Sequence, residues 1–274
     1  MTAATDTRAP GLYDDVPEIA YHADATSLSQ SGAKSLLDCP AVYAWERDHP
    51  PEPTEAMEFG TALHTLVLGT GPEVITVDAE SWRTKTAQET RALTRAAGKI
   101  PLLKPQWEQA QAMAAAVWAK PAAAQLLAGG RPEVSAYATH EETGVLRRAR
   151  FDYLRDDLII DYKTAFSADP DEWRRNAARY GYHLQHAWYI DIARALDLDI
   201  RGLVFVVQQK TPPYPVTCVE LVPSAVELGR QRARLALQMF RDCTEAGCWP
   251  DYAESIVPVD LPDWVYRDSY REIS

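Results

Sequence analysis

The chain contains no run of 18 consecutive apolar residues, so no helix of it is expected to span a membrane. Its first 24 residues carry no apolar stretch between a basic start and a small-residue cleavage site. A soluble, cytoplasmic protein with no membrane partner is therefore the expectation. No G-x-x-x-x-G-K-[S/T] sequence occurs, which excludes an ATPase motor of the P-loop type, and no internal repeat is visible. Cysteine is scarce: Cys39, Cys218, Cys243 and Cys248 are the four in 274 residues, none in C-x-x-C spacing. A cytoplasmic setting disfavours disulfides. Positive charge is also short, with 28 Lys and Arg against 39 Asp and Glu, a net charge of −11. Much of that imbalance lies at the ends. Residues 1–24 and 249–274 carry −4 each, leaving −3 for the middle. Within the middle, Arg83, Lys85, Arg91, Arg95, Lys99 and Lys104 face the single acid Glu89, a local basic patch able to contact phosphates or simply to be solvated.

What is present suffices for a large core. Hydrophobic residues make up 46% of the chain, enough for one α/β domain with helical additions. A mobile tail is expected over 1–20 and a single domain over 21–274. The cluster Ser27-Leu28-Ser29-Gln30-Ser31 signals a helix start, with the body running through Leu36, Leu37 and Tyr43 until Pro50 and Pro51 end it. A second helix, Met57 to Leu68, stops at Gly69. Alanine-rich helices form an insertion at about 72–130. A β-rich run follows: Glu133 to Thr139, Gly144 to Leu154, Leu158 to Lys163, then, beyond a helix, Leu203 to Lys210 and Val216 to Val222.

The chemistry concentrates in residues 146–164, two strands joined by the turn Arg155-Asp156-Asp157. Side chains alternate along a strand, so Asp161 and Lys163 share one face while Leu158, Ile160 and Tyr162 enter the other. Folding at the turn brings Asp152 toward Asp161, two hard oxygen ligands suited to Mg²⁺ or Mn²⁺. Alone, Asp-x-Lys is a weak signal, since exposed strand ends often carry such residues. On the helix between the strand groups, Tyr182, Gln185, His186 and Tyr189 fall at i, i+3, i+4 and i+7 and form a face suited to phosphates. Leu184, Trp188, Ile192 and Ala195 form the expected core stripe.

Taken in order, Ser29-x-Ser31, Pro40-Ala41-x-Tyr43-x-Trp45, Gly60-Thr61-Ala62-x-His64, Glu133, Arg150-x-Asp152, Asp161-x-Lys163-Thr164, Tyr182-x-x-Gln185-x-x-x-Tyr189 and Trp249-Pro250 resemble the PD-(D/E)xK nuclease superfamily. Within it the chain is similar to the RecE-type (exonuclease VIII) DNA exonucleases of phages and prophages, from about Tyr21 to Trp264. Phe151 stands where the family name has Pro. The resemblance implies a restriction-endonuclease-like core, a central mixed β-sheet flanked by helices, with additional N-terminal and inserted helices. It makes Asp152, Asp161 and the Tyr162 carbonyl metal ligands, with His64 completing the coordination. Lys163 would activate water and stabilise charge, Glu133 would order metal water, and Gln185 and Tyr189 would position the DNA backbone. Ser29 and Ser31, at a helix start, are candidates for a terminal 5′-phosphate. Arg83, Lys85 and Arg91, with Arg147, Arg148 and Arg150, would line a DNA channel, and Tyr182 would join that surface.

The implied activity is ATP-independent hydrolysis of linear double-stranded DNA from its ends, 5′ to 3′, with two Mg²⁺ (or Mn²⁺) per site, serving single-strand annealing recombination. Implied partners are duplex ends, further copies of the chain in a ring of three or four, and a single-strand annealing protein. Two alternatives remain. One is an iron–sulfur nuclease of the same fold, linked to a CRISPR system or a helicase, because Cys39 and the Cys243-x₄-Cys248 pair lie near opposite ends of the chain. Cys218 sits within a strand-like run, leaving three ligands, so a cluster is not expected. The other is a non-catalytic DNA-binding recombination scaffold, which the intact Asp152, Asp161 and Lys163 argue against.

Overall fold

The computed structural model describes residues 8–50 and 52–266. In chain order the elements are β1 (Gly11–Tyr13), α1 (Glu18–His22), β2 (Leu28–Ser29), α2 (Gln30–Asp38), α3 (Pro40–Asp48), α4 (Glu55–Leu68), β3 (Val74–Val77), α5 (Lys85–Ala96), β4 (Ile100–Leu103), α6 (Lys104–Ala119) and α7 (Pro121–Leu126). They continue with β5 (Arg131–Thr139), β6 (Leu146–Leu154), β7 (Leu158–Ala165), α8 (Pro170–Tyr180), α9 (Tyr182–Ala195), β8 (Gly202–Gln209), β9 (Val216–Glu220) and α10 (Pro223–Ala246).

Seven strands form a mixed sheet in the order β1-β5-β6-β7-β8-β9, with β2 lying parallel to the start of β6. The β5–β6 hairpin is long because its two strands alternate small or apolar residues with polar ones over nine residues each. In contrast β6 and β7 pair only at Tyr153↔Ile160 and Leu154↔Ile159, next to their turn. Beyond that point they part, and β7 runs parallel to β8 over eight positions, Leu158↔Gly202 to Ala165↔Gln209. A wedge opens between β6 and β7. The Asp152 carboxylate fills it, accepting the backbone N–H of Tyr162 at 2.8 Å in place of a ladder bond.

Helices cover both faces. One core layer gathers Leu28, Leu36, Phe151, Trp188, Ile192, Phe205 and Leu237 under α2, α8, α9 and α10. The other holds Leu63, Val67, Leu102, Met113, Ile160 and Tyr162 under α4, α6 and the insertion. Removing such area from water, at roughly 25 cal/mol per Å², is the main stabilising term.

Several expectations need correction. Of the supposed tail, residues 1–7 lie outside the described residues, but Gly11–Tyr13 joins the sheet, pairing antiparallel with β5 (Gly11↔Tyr137). Too short to show a period, this strand left no pattern in the sequence. The first long helix is two, because Pro40 follows an extended Cys39 (φ −160°, ψ 119°) and starts α3 afresh. The insertion contains helices α5, α6 and α7 but also a parallel ribbon, β3 with β4, whose four-residue strands are too short to show in periodicity. In α9, Leu184, Trp188 and Ile192 are buried as expected, whereas Ala195 is exposed at the helix end.

Candidate active site

A cleft of about 800 Å³ lies over the wedge between β6 and β7. Its walls come from α1, the start of α2, the middle of α4 and the Gly71-Pro72 turn. At its floor His64, Glu133 and Asp152 each present a ligand atom, all within 4.8 Å of one another. Among the described residues this is the one such group of His, Cys, Asp or Glu. His64 reaches the floor because α4 is fixed at both ends: Thr54 accepts the Met57 N–H at 3.2 Å, and Gly69 closes the helix in the left-handed region at φ 75°. Its Nδ1 lies 3.6 Å from Asp152 Oδ2.

Glu133 is placed differently. The register on either side, Pro132↔Tyr153 and Val134↔Phe151, sets it opposite Asp152. Its backbone has φ 53°, a left-handed conformation that a side chain with Cβ rarely adopts. Strain of this kind persists where the surroundings dictate it, and it gathers at sites that do chemistry.

Asp161, fully buried, is the neighbouring centre. Lys163 Nζ lies 2.5 Å from its Oδ1, and Gln185 donates to its Oδ2 at 2.5 Å. The two acids expected to share one centre thus face different partners, Asp152 the His64 and Glu133 group and Asp161 the lysine. Tyr189 bonds to Gln185, lines the cleft and packs on Phe151 at 5.3 Å between ring centroids.

Electrostatics follow from burial and crowding. Desolvation, then the Asp152 charge, pushes the Glu133 carboxyl up to about 8. Burial, then Asp152, pushes Asp161 up to about 6, and burial raises Asp152 as well. Desolvation, aided by Lys163, pushes His64 down to about 4, leaving a neutral imidazole with a free lone pair. For Lys163 burial works against the charge, but Asp161 and Asp152 outweigh it and keep the ammonium protonated. Crowded carboxylates that resist ionisation beside a neutral histidine make a donor set that a hard divalent cation would satisfy. The residues fit such an ion.

The family described as PDDEXK-like domain of unknown function (DUF3799) matches residues 29–261. The chain belongs to this family. No curated protein matches it. Among solved structures it is similar to "Putative exonuclease" from Eubacterium rectale, at 14% identity and a TM-score of 0.62, covering 92% of this chain and 98% of that one. A phage related exonuclease from Haemophilus somnus 129PT is more distant, at 11% identity and a TM-score of 0.33, covering 81% and 96%. The sheet and its two helical layers are accordingly a PD-(D/E)xK fold, and in it the wedge, the acids and the lysine sit together.

Other expected site residues fall into two groups. Ser29 and Ser31 line the cleft, their hydroxyls 3.1 Å apart, and Ser29 caps α2 by accepting the Gly32 N–H. Arg83 and Lys85 are exposed at the start of α5, with Lys85 3.7 Å from Glu89. The remaining cations are not free for DNA. Arg91 is tied to Glu58 of α4 at 2.9 Å and lies over Trp82. Arg148 is buried, donating to the carbonyls of Asp24 and Ser27, and Arg150 donates to the Val16 carbonyl at 2.6 Å and to Ser135 at 3.1 Å. Both flank the Tyr21 ring, at 5.3 and 4.4 Å, and so pin the N-terminal segment over the cleft. Arg147 points to the opposite face of β6. Tyr182 stacks on Trp173 and Phe205 at the rim of the core, with Lys163 5.7 Å from its ring centre. His186, on the same helical face, is buried. Glu18, Tyr21 and His22 also line the cleft, and no pattern marks them beforehand, since a five-residue helix has no readable period.

The cysteines are all free, Cys39 and Cys243 buried and Cys248 exposed. They form no group of metal-binding geometry among the described residues.

Proposed function

We propose that this protein is a divalent-metal-dependent, ATP-independent exodeoxyribonuclease acting on the ends of linear double-stranded DNA. The observation that carries the reading is the convergence of His64, Glu133 and Asp152 beside the Asp161–Lys163 pair on the floor of one cleft. His64, Glu133 and Asp152 would hold Mg²⁺ or Mn²⁺, with Asp161 and the Tyr162 carbonyl close by for a second ion. A cation there supplies Lewis acidity toward a phosphoryl oxygen.

The chain's own residues do the rest. Lys163, kept charged, offers an ammonium to the negative charge that grows on the scissile phosphate. Asp161 holds that ammonium in place, and Gln185 holds Asp161. Ser29 and Ser31, at the start of α2, take a terminal phosphate at the cleft wall. The RecE-type reading, 5′ to 3′ polarity, a ring of copies and a single-strand annealing partner extend this proposal through the motif resemblance.

The test is digestion of end-labelled linear duplex against closed circular duplex, each with Mg²⁺ and with EDTA. Linear DNA should be degraded with Mg²⁺ alone and closed circles should resist. Equal loss of both would make the protein an endonuclease, and digestion in EDTA would remove the metal from the mechanism.

A further inference from the structure

Tyr180 is a large aromatic left 47% exposed at the end of α8. Helical spacing puts it there. Trp173, Ala177 and Tyr180 fall at i, i+4 and i+7, so Tyr180 continues the buried stripe of α8 past the edge of the core. Gly181 closes the helix in the left-handed region at φ 76°, and α9 begins at Tyr182. Across this corner the two tyrosine rings lie 5.9 Å apart. Tyr182 lies in turn against Lys163, whose Nζ is 5.7 Å from its ring centre. Two short steps therefore lead from the ammonium of the candidate active site to an open aromatic face.

Two cations flank that face. Lys34 Nζ lies 5.7 Å from the Tyr180 ring centre and the Arg179 guanidinium 5.9 Å. Both side chains are exposed, and among the described residues neither forms an ion pair or a hydrogen bond. The nearby acids are occupied: Asp171 and Glu172 of α8 pair with Arg174 and Arg175 at 3.7 and 2.8 Å, and Asp38, one turn beyond Lys34, accepts from the Tyr252 hydroxyl at 3.4 Å. Lys34 also joins this corner to the cleft. Gln30 and Ser31, which line the cleft, stand at i−4 and i−3 from it and share its face of α2. Its stem packs on the corner, where a Cβ added to Gly181 would lie 3.6 Å from Lys34 Cδ.

We infer that the corner of Tyr180, Lys34 and Arg179 binds single-stranded DNA, stacking an unpaired base on the Tyr180 ring while the two cations take the flanking phosphates. An aromatic face open to solvent beside unpaired cations suits a single strand, because every base has a π-face and every linkage a charge. A duplex offers no free base face along its length, so the ring selects the unpaired strand. The cations that lie on the ring do not block it. An exposed cation–π contact is weaker than a stacked base, and the long stems of Lys34 and Arg179 let both charges swing to phosphates. The inference rests on the nuclease reading of the cleft for the source of its strand: hydrolysis of one strand at a duplex end leaves the other unpaired, beside Lys163.

Fluorescence anisotropy of a labelled oligothymidylate with the full chain, in EDTA so that no strand is cut, tests the assignment. Wild type should bind it about tenfold more tightly than an abasic strand of the same length and charge. Tyr180→Ala should erase that preference and Tyr180→Phe should keep it; a purely structural role for the ring would leave bases and abasic sites equally affected. Lys34→Ala with Arg179→Ala should instead lower the logarithmic salt slope by about 1.4, at roughly 0.7 per phosphate contact on a single strand. A wild type with no preference for bases, or a preference that survives Tyr180→Ala, would overturn the inference. So would an unchanged salt slope in the double variant. The two readings fail separately: a base preference lost in Tyr180→Ala without digestion in Mg²⁺ would keep the strand site and remove the nuclease, and digestion in Mg²⁺ without any base preference would do the reverse.

Discussion

Glu133 concentrates the conflict between stability and chemistry at the level of one residue. Its φ of 53° costs roughly 1–2 kcal/mol for a residue with Cβ, and glycine escapes that cost. Glu133→Ala and Glu133→Gly both lose the carboxylate, and both should lose activity. Glu133→Gly should nonetheless be the more stable in urea unfolding, by about 1 kcal/mol. The reverse order would mean that the loop relaxes freely without strain. Acidity gives a second prediction. A carboxyl whose folded pKa is raised binds more protons in the native state, so stability falls as pH climbs from the unfolded toward the folded value. Asp161 at about 6 acts in this sense, while His64 and His186, each at about 4, act oppositely up to their ordinary 6.5. The window from 6.5 to about 8 belongs to Glu133. In EDTA the thermal midpoint should drop across that window, Mg²⁺ should restore more at pH 8 than at 6.5, and Glu133→Gln should flatten the profile. A flat wild-type profile would show that these acids do not strain the metal-free fold.

At the scale of elements, the crossing of α9 and α10 sets the position of Gln185. Gly229 in α10 sits so close to α9 that an added Cβ would lie 1.9 Å from the His183 carbonyl oxygen. His183 is two residues before Gln185, on the first turn of the helix. Gly229→Ala should force the helices apart and cost about 1–3 kcal/mol, as overpacking does. It should also lower turnover, because Gln185 would lose its 2.5 Å contact with Asp161. Turnover at the wild-type level in a variant of lowered stability would show that Gln185 does not position the acid. The parting of β6 and β7 is the other decisive feature. Had the two strands stayed paired, the Tyr162 N–H would belong to the ladder and Asp152 would have no place beside it.

For the whole molecule, burial and pairing withdraw several of the cations expected to line a DNA channel. Arg91, Arg148 and Arg150 are held by acids, carbonyls and Tyr21, while Arg83 and Lys85 stay exposed. Replacing Arg83 and Lys85 together by Ala should lower the logarithmic salt slope of duplex binding by about 2, at roughly 0.9 per phosphate contact. Arg91→Ala should instead act through stability, leaving the buried Glu58 with Arg95 as its one remaining cation. An unchanged slope in the double variant would remove α5 from the DNA path.

The sequence alone determined the strands β5 to β9, the helix α4 and its stop at Gly69, most of the core stripe of α9 and the candidate acids and lysine. These rest on local rules: alternation at period two, caps, and hydrophobic spacing near 3.6. The strand β1 and the ribbon β3–β4 stayed hidden because three or four residues cannot show a period, and their pairing partners lie far along the chain. Tertiary structure decided which charges are free. Arg148 and Arg150 share a face with Asp152 by strand parity, yet the segment from Val16 to Ser27 folds over them and consumes their donors. It also decided how the acids divide, since only the splaying of β6 from β7 turns Asp152 toward His64 and Glu133 and leaves Asp161 with Lys163 and Gln185.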